Sequence, residues 1–449
     1  MTALTLIHIC FTNLILHRYY RRCNRARLFG NVQFLLKAFP PIVTKLLWKL
    51  GFQKLYQDVC LRKTSDVLKE CGIPEDAIGG ICYSWGDYGT TPGDSAFFIQ
   101  AFMASHYNHG AYFPMGGSKS IAKTIVASIQ RRGGKVFASA PVEKIITERS
   151  LWGDEATGVR VHGIDISVRK AVVSDAGFTK TFEVGLDMDP PLVDQAVGAS
   201  QLALVHTKDV NYHFRPSPAF FYLFVGLEGS EKDLHLPGQN IWQCQDWHEH
   251  TTGMKHLYEA HDIDKAIAIE PPLVFVSNES AKDPNYQKNH PNKSTVTIIA
   301  WTDPKWFKEW ANKPHGTRGD HYDKVKDKMT EVLLRVLYKH FPLTCGKVRF
   351  TKMGTPLSTK KYLSHDAGAI YNLDHNTERF DSLGAQLALH PQSTIRHLYL
   401  TGQDVTAVSI VGSMMSGFLT AARISTSAFM LLYGLRGLVM RWIMMRSST

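Results

Sequence analysis

The apolar positions of this chain keep a helical period first and a strand period later. From Val32 to Cys71 they recur at three- and four-residue steps (Phe34, Leu35, Ala38, Val43, Leu46, Leu47, Leu50, Leu55, Val59, Leu61), with Lys and Arg between them. That is the spacing of helices with one buried face. Pro40-Pro41 and Gly51 divide the stretch into shorter helices. Ser84 to Gly93 is turn-rich, and a helix is expected from Asp94 through Tyr107. Ser118 stands as N-cap of an amphipathic helix from Lys119 to Arg132. Lys135 to Ala138 then reads as a short strand, Val142 opens another, and Gly158 to Val168 alternates around a Gly turn as a hairpin does. Lys170 to Gly177 is almost wholly apolar, the habit of a strand buried in a parallel sheet. Between Leu202 and Thr351 strands dominate. Ala219–Leu227, Pro272–Ser277 and Ser294–Thr302 are rich in aromatic and β-branched residues, with a helix from Tyr322 to His340 beside them. Near the end, Leu398 to Leu400 reads as a strand end, Gly402-Gln403-Asp404 as a turn, and Ser409 to Ala422 as a helix opening.

Both ends are apolar with basic flanks. Met1 to Leu16 is nearly uncharged and is followed by His17-Arg18-Tyr19-Tyr20-Arg21-Arg22. At about 16 residues it stands at or just below the length that crosses a bilayer. It reads as a signal anchor or as a buried helix, and it lacks the small-residue site of a cleaved signal. Beyond Arg423 the chain stays apolar through Met445 but is interrupted by Arg436 and Arg441. That pattern suits an interfacial helix, or a terminal helix folded back on the protein, rather than a span.

Composition narrows the classes. The 449 residues are 44% hydrophobic and 11% aromatic, which excludes a disordered or fibrous chain and provides a core large enough for two lobes. The formal net charge is +11, yet Lys and Arg are spread without a nucleic-acid-binding signature. No nucleic-acid partner is expected, and the basic balance points to an anionic membrane surface. Seven cysteines without a C-x-x-C pair suggest neither a disulfide framework nor a zinc site. No metal site is expected. Asn278-Glu279-Ser280 and Asn292-Lys293-Ser294 match the glycosylation acceptor pattern.

The candidate chemistry lies between Leu398 and Arg423. A strand that stops at Gly402, turns through Asp404 and enters a helix through small residues lets the backbone come close to a ligand. It also offers the N–H groups of a helix start to a phosphate or ring oxygen, and the Asp would accept from ribityl or ribose hydroxyls. The same residues make an ordinary strand–turn–helix corner with Asp404 capping the next turn. The pattern alone leaves both readings open.

Tyr399-Leu400-Thr401-Gly402-Gln403-Asp404 resembles the C-terminal flavin motif of the phytoene desaturase/carotenoid isomerase-like and amine oxidase-like flavoproteins, and in its detail that of the retinol saturases. Four further blocks carry the resemblance: Gly110 to Ser118 (GAYFPMGGS), Ala171 to Gly177 (AVVSDAG), Lys232 to Pro237 (KDLHLP) and Ser280 to Pro284 (SAKDP). They follow in family order from about Leu28 to about Arg423. The fold this implies is α/β: an incomplete FAD-binding Rossmann-like domain of the glutathione reductase type, an antiparallel-sheet substrate domain and a helical cap. Residues 1–27 would be an apolar segment and candidate anchor, and 28–111 the cap. Residues 112–201 and 352–423 would form the partial FAD-binding domain, 202–351 the substrate domain, and 424–449 the interfacial helix.

The resemblance further implies FAD held by Gly116, Gly117, Val142 (through its backbone amide, at the adenine), Gly402, Asp404 and Gly412. NAD or NADP would serve as electron donor. The implied reaction is saturation of the 13,14 double bond of all-trans-retinol, at the endoplasmic reticulum membrane, with the retinoid or another polyene between the aromatic strands and the cap. No nucleophile–base pair is evident and none is required; Tyr112 is a candidate proton donor only through its loop's place near the ring. The alternatives are a non-catalytic binder of retinoid or lipid, a carotenoid isomerase and an amine oxidase-like enzyme. Such a flavoprotein opens with a strand, a G-x-G-x-x-G turn, a helix and, about 20 residues on, an acidic residue. No glycine precedes Gly30, and nothing like that unit precedes Gly72. The chain is therefore expected to be a truncated product or a paralogue with half a cofactor site, its remaining strands keeping unpaired edges.

Overall fold

The computed structural model describes residues 3–108, 110–182, 191–205, 214–244, 246, 263–268, 270–365 and 368–425, and the side chains from residue 13 on. The C-terminal helix expected over 424–449 lies almost wholly outside the described residues.

A 34-residue helix, Ala3–Leu36, begins the fold. Tyr19, Cys23, Ala26 and Phe34 are buried along one side of it, at the helical spacing that puts them on a single face. Gly30 lies on that face, and a Cβ there would come within 2.7 Å of Phe98 Cδ2. The missing side chain lets the buried helix Phe97–His106 cross closely, with the Phe34 ring against Phe98 and Phe102. Among the described residues no helix is long and apolar enough to cross a membrane. The shorter helices Pro41–Leu47, Gln53–Cys60 and Thr64–Cys71 follow, separated as their prolines and Gly51 (φ +96°) require. The helix expected from Asp94 begins only at Phe97, because Ser95 and Ala96 bridge to other segments.

Three strands form a meander, β1 (Val142–Ser150), β2 (Gly153–Val161) and β3 (Ile164–Ser167). The β2–β3 turn is His162-Gly163, both at positive φ, as a tight hairpin demands. A fourth strand, β4 (Val172–Ser174), belongs to a different sheet. The largest sheet has the order β6-β7-β8-β5-β9 and is antiparallel throughout: β5 is Ala219–Glu228, β6 Ile241–Cys244, β7 Leu273–Ser277, β8 Lys293–Thr302 and β9 Val348–Gly354. Its two faces are both apolar. Phe221, Leu223, Val225, Val276 and Ile298 pack on the helix Asp320–His340 through Val325, Met329, Val332 and Val336. Phe220, Leu273 and Trp301 face the N-terminal helical layer. Strand β10 (Leu398–Leu400) pairs in parallel with β4, Leu398 opposite Val172 and Leu400 opposite Ser174, and the helix Ile410–Ser425 follows. The architecture is mixed helix and sheet; among the described residues β4 and β10 pair in parallel, and an isolated parallel bridge joins Glu155 of β2 to Arg396.

Three local expectations are corrected. Lys135–Ala138 is not a strand: Val136 and Phe137 are exposed, and among the described residues no strand pairs with them. Ser118 occupies the N-cap position of Lys119–Arg131 but is already helical in φ and ψ and makes no side-chain cap. Asn278 is fully buried, its amide donating to Pro237 O at 3.0 Å, so the first acceptor pattern is closed to a glycan.

Candidate functional site

The carboxyl ends of β4 and β10 carry the Gly402 turn. Thr401 N–H still donates to Ser174 O (2.9 Å), and the chain then leaves the sheet at Gly402 beside Asp175 and Gly177. Outside the carboxyl ends of parallel strands is where α/β folds place their ligands. Gly402 (φ +86°) and Gly177 (φ +85°) are both left-handed. A Cβ on Gly402 would overlap Asp175 Oδ1, and one on Gly177 would lie 2.9 Å from Asp404 Oδ2. Asp404 is 3% exposed. Its Oδ2 accepts from Phe178 N–H (2.8 Å) and from Asn372 Nδ2 (2.6 Å). Its Oδ1 is buried with no hydrogen-bond partner among the described residues. Burial, and after it the neighbouring Asp404, raises the Asp175 carboxyl above the usual carboxylate range.

Beneath the turn lie two buried cations. Arg379 donates to the carbonyls of Gln403 (2.9 Å), Asp404 (3.1 Å) and Thr406 (3.5 Å), and to those of Leu373 and Asp374 on the facing segment. Lys37, at the end of the first helix, donates to Leu389 O (3.0 Å) and to Val405 O. Burial first, then the nearby Arg379, pushes the Lys37 ammonium down to about 7, with Asp404 opposing. His375 Nε2 accepts from Val408 N–H (3.1 Å), and burial holds the ring neutral. A residue near position 37 and another near position 379 thus fix the same backbone.

The other residues singled out by sequence lie as follows. Gly412 N–H is bonded to Ser409 Oγ, and a Cβ at Gly412 would overlap Ala407 O, so local packing accounts for that glycine. Gly116 and Gly117 are both at φ +81°, and Gly116 N–H donates to Asp283 Oδ2 (2.9 Å). That bond ties the loop to the segment before β8. Val142 opens β1 opposite Val161 and is exposed. Tyr112 is exposed as well. Gly402 and Asp404 therefore share one turn, Gly412 lies in the first turn of the helix that follows, and Gly116–Gly117 and Val142 belong to other elements.

Between the large sheet and the helical layer is a small apolar cleft of about 50 Å³, open to solvent on one side. Phe220, Trp242, Phe275 and Ile299 form its sheet side, and Asp87 and Tyr371 close it from the other. Tyr371 is followed by Asn372, the residue bonded to Asp404. Consecutive residues thus join the cleft to the turn.

Sequence reading missed Asn372, Arg379, Lys37 and Asp87. Asp175 and Gly177 stood inside a quoted block but were not chosen. Gly177 had a signal, a glycine directly after a buried strand. Arg379 and Lys37 had none, since a lone basic residue is ordinarily on the surface.

No family model matches the chain. Curated proteins do. The chain is similar to the human all-trans-retinol 13,14-reductase, 32% identical over 401 residues that make up 87% of this chain and 62% of that protein. The zebrafish all-trans-retinol 13,14-reductase is 27% identical over 423 residues, 90% of this chain and 65% of its own length. A second zebrafish relative, named inactive all-trans-retinol 13,14-reductase, is 27% identical over 399 residues, 87% of this chain and 62% of that protein. The chain spans less than two thirds of the length of these relatives. Over the span they share, it is a retinol saturase-like sequence, related to the all-trans-retinol 13,14-reductases.

Proposed function

We propose that this chain is an oxidoreductase of retinoids, using FAD to saturate the 13,14 double bond of all-trans-retinol with electrons from NADH or NADPH. The observation that carries the reading is the junction just described. A small aromatic cleft ends at Tyr371, and the next residue holds Asp404, whose second carboxylate oxygen is buried and without a hydrogen-bond partner among the described residues. A buried acceptor without a donor costs free energy that a ligand hydroxyl would recover, and the ribityl chain of a flavin supplies hydroxyls. Gly402 and Gly177 add a backbone that packs closely at that point. Bound FAD would supply the hydride. The protein's part would be to orient the polyene and to shield it from water. The names of the relatives favour this substrate. The relative named inactive favours a second reading, a non-catalytic retinoid binder.

The partner surface proposed with it is a membrane. Ile42, Leu46 and Leu50 are 66%, 57% and 74% exposed, one helical turn apart, with Lys45, Lys49 and Lys54 exposed beside them. No acidic residue occurs from Phe39 to Gln57, the make-up of a segment lying in an anionic interface. The test of the activity is product analysis of the chain loaded with FAD and NADPH, given all-trans-retinol, a carotene and a simple amine side by side. 13,14-Dihydroretinol is the expected product. Retinoid binding without turnover would establish the second reading instead.

A further inference from the structure

The turn between β1 and β2 is made by Leu151 and Trp152, at positions where tight turns ordinarily carry Gly, Asn, Asp, Pro or Ser. Gly153, at φ +105°, takes the left-handed step that the turn needs, so its geometry asks for neither apolar side chain. Leu151 is 100% and Trp152 80% exposed, whereas Trp48, Trp85, Trp301 and Trp310 are buried. Hydrogen bonds fix the tip. Ser150 Oγ accepts from Trp152 N–H (3.2 Å) and donates to Gly153 O (2.8 Å), and Arg149 donates to both oxygens of Asp154 (3.0 and 2.9 Å). Behind the tip the carboxylates are engaged: Asp154 by Arg149, Glu155 by Arg396 at 3.9 Å, and Glu148 by Thr157 Oγ1. Arg169 and Lys170 are exposed and, among the described residues, have no ion pair. They follow Val168, whose N–H donates to Thr157 O on β2.

A path of contacts leads from this hairpin to the Ile42–Leu50 stripe. Arg396 N–H donates to Asp154 O (3.0 Å), and Arg423 donates to Gln392 Oε1 (2.6 Å) a few positions earlier in the same segment. The helix that carries Arg423 packs through Leu419 and Ala422 on Ala38, shortly before the helix Pro41–Leu47 with its exposed Ile42 and Leu46.

We propose that Leu151 and Trp152 enter the interface of a phospholipid bilayer, with Arg169 and Lys170 meeting lipid phosphates behind them. Two side chains fall far short of the roughly 1,200–2,000 Å² that a stable protein interface buries. A bilayer has no shape to match and takes each side chain at its own transfer free energy. Leucine suits the hydrocarbon, and an indole, apolar with one N–H donor, suits the headgroup boundary. Cations set back from an apolar tip fit the phosphate layer above it. The inference rests on the membrane reading of the Ile42–Leu50 stripe and adds a second point of attachment. One stripe leaves the protein free to roll on the surface; two contacts fix its orientation.

The test is co-sedimentation of the full chain with vesicles of phosphatidylcholine and phosphatidylserine, joined to quenching of its tryptophan fluorescence by lipids brominated on the acyl chain. Leu151→Ser with Trp152→Ser is expected to lower partitioning about tenfold or more. The melting temperature is expected to stay unchanged, because neither side chain packs on the fold. Arg169→Gln with Lys170→Gln is expected to lower partitioning about tenfold, and Trp152→Tyr to bind but lose part of the wild-type quenching. Wild-type partitioning in either double variant, or wild-type quenching in Trp152→Tyr, overturns the proposal. Loss of binding by the hairpin variant but not by Leu46→Glu with Leu50→Glu keeps the hairpin contact and removes the stripe. The reverse keeps the stripe and removes the hairpin, and no binding by wild type overturns both. A wild-type dimer that the hairpin variant dissociates, with vesicle binding unchanged, overturns the proposal and assigns the tip to a second copy of the chain.

Discussion

Lys37→Met is the most exacting perturbation of the scaffold under the Gly402 turn. Lys37 is buried between the carbonyls of Leu389 and Val405, near Arg379, and its ammonium is held down to about 7 against an ordinary value of 10.5. The native state thus binds this proton less tightly than the unfolded chain does, so between the two values folding releases it and stability rises with pH. Below about pH 7 the charge is carried in both states and its full burial cost stands. At about 1.4 kcal/mol per pH unit, the whole gap is worth up to about 5 kcal/mol, and the part between about pH 7 and 8.5 up to about 2 kcal/mol. Methionine keeps the length and volume of the stem and deletes the charge. The assay is urea unfolding of both proteins at several pH values across that window, read as the difference between the two curves so that other titrating groups cancel. His390, which burial and the nearby Lys37 keep neutral at about 3, does not titrate there. Wild type is expected to gain on the variant by up to about 2 kcal/mol as pH rises. Parallel curves would refute the reasoning, because Lys37 would then titrate alike in the folded and unfolded states.

Three other outcomes follow from the same geometry. Gly402→Ala is expected to cost about 3 kcal/mol or more, since it adds the left-handed penalty to an overlap with Asp175, whereas Gly117→Ala, with open space around it, is expected to cost only about 1–2 kcal/mol in the same melt. Asp404→Ala strands Phe178 N–H and the Asn372 amide and is expected to lower stability by about 2–6 kcal/mol in urea titration; a change within error would mean that those bonds are not formed. Leu46→Glu with Leu50→Glu is expected to abolish co-sedimentation with phosphatidylserine-containing vesicles while leaving the melting temperature unchanged, because both side chains are exposed; undiminished sedimentation would exclude the Ile42–Leu50 stripe as the contact.

How far the fold was legible depended on the range of the interactions. Local periodicity marked β5, β7, β8 and the helix from Asp320, since their buried faces repeat within a few residues. The His162-Gly163 hairpin was legible for the same reason. Lys135–Ala138 failed because only Val136 and Phe137 of the four are β-prone, and both are exposed rather than packed on a sheet neighbour. At the site, the Gly402 turn and Asp404 were visible as a strand–glycine–acid run. Arg379 and Lys37 were not: they differ from surface cations only in being surrounded, and the carbonyls that surround them lie 352 and 368 positions away for Lys37 and up to 27 away for Arg379. Asp87 was hidden for the same reason, since its apolar neighbours arrive from β5, β6, β7 and β8.

The proposed flavin would meet the chain at the Gly402–Asp404 turn. Calorimetric titration of the purified chain with FAD, for wild type and for Asp404→Asn, tests it most directly, since asparagine preserves the size of the side chain and withdraws the charged acceptor. Saturable binding by wild type, weakened about tenfold or more in the variant at an unchanged melting temperature, is the expected result. Absence of saturable binding by wild type, or equal affinity in the two proteins, would contradict it.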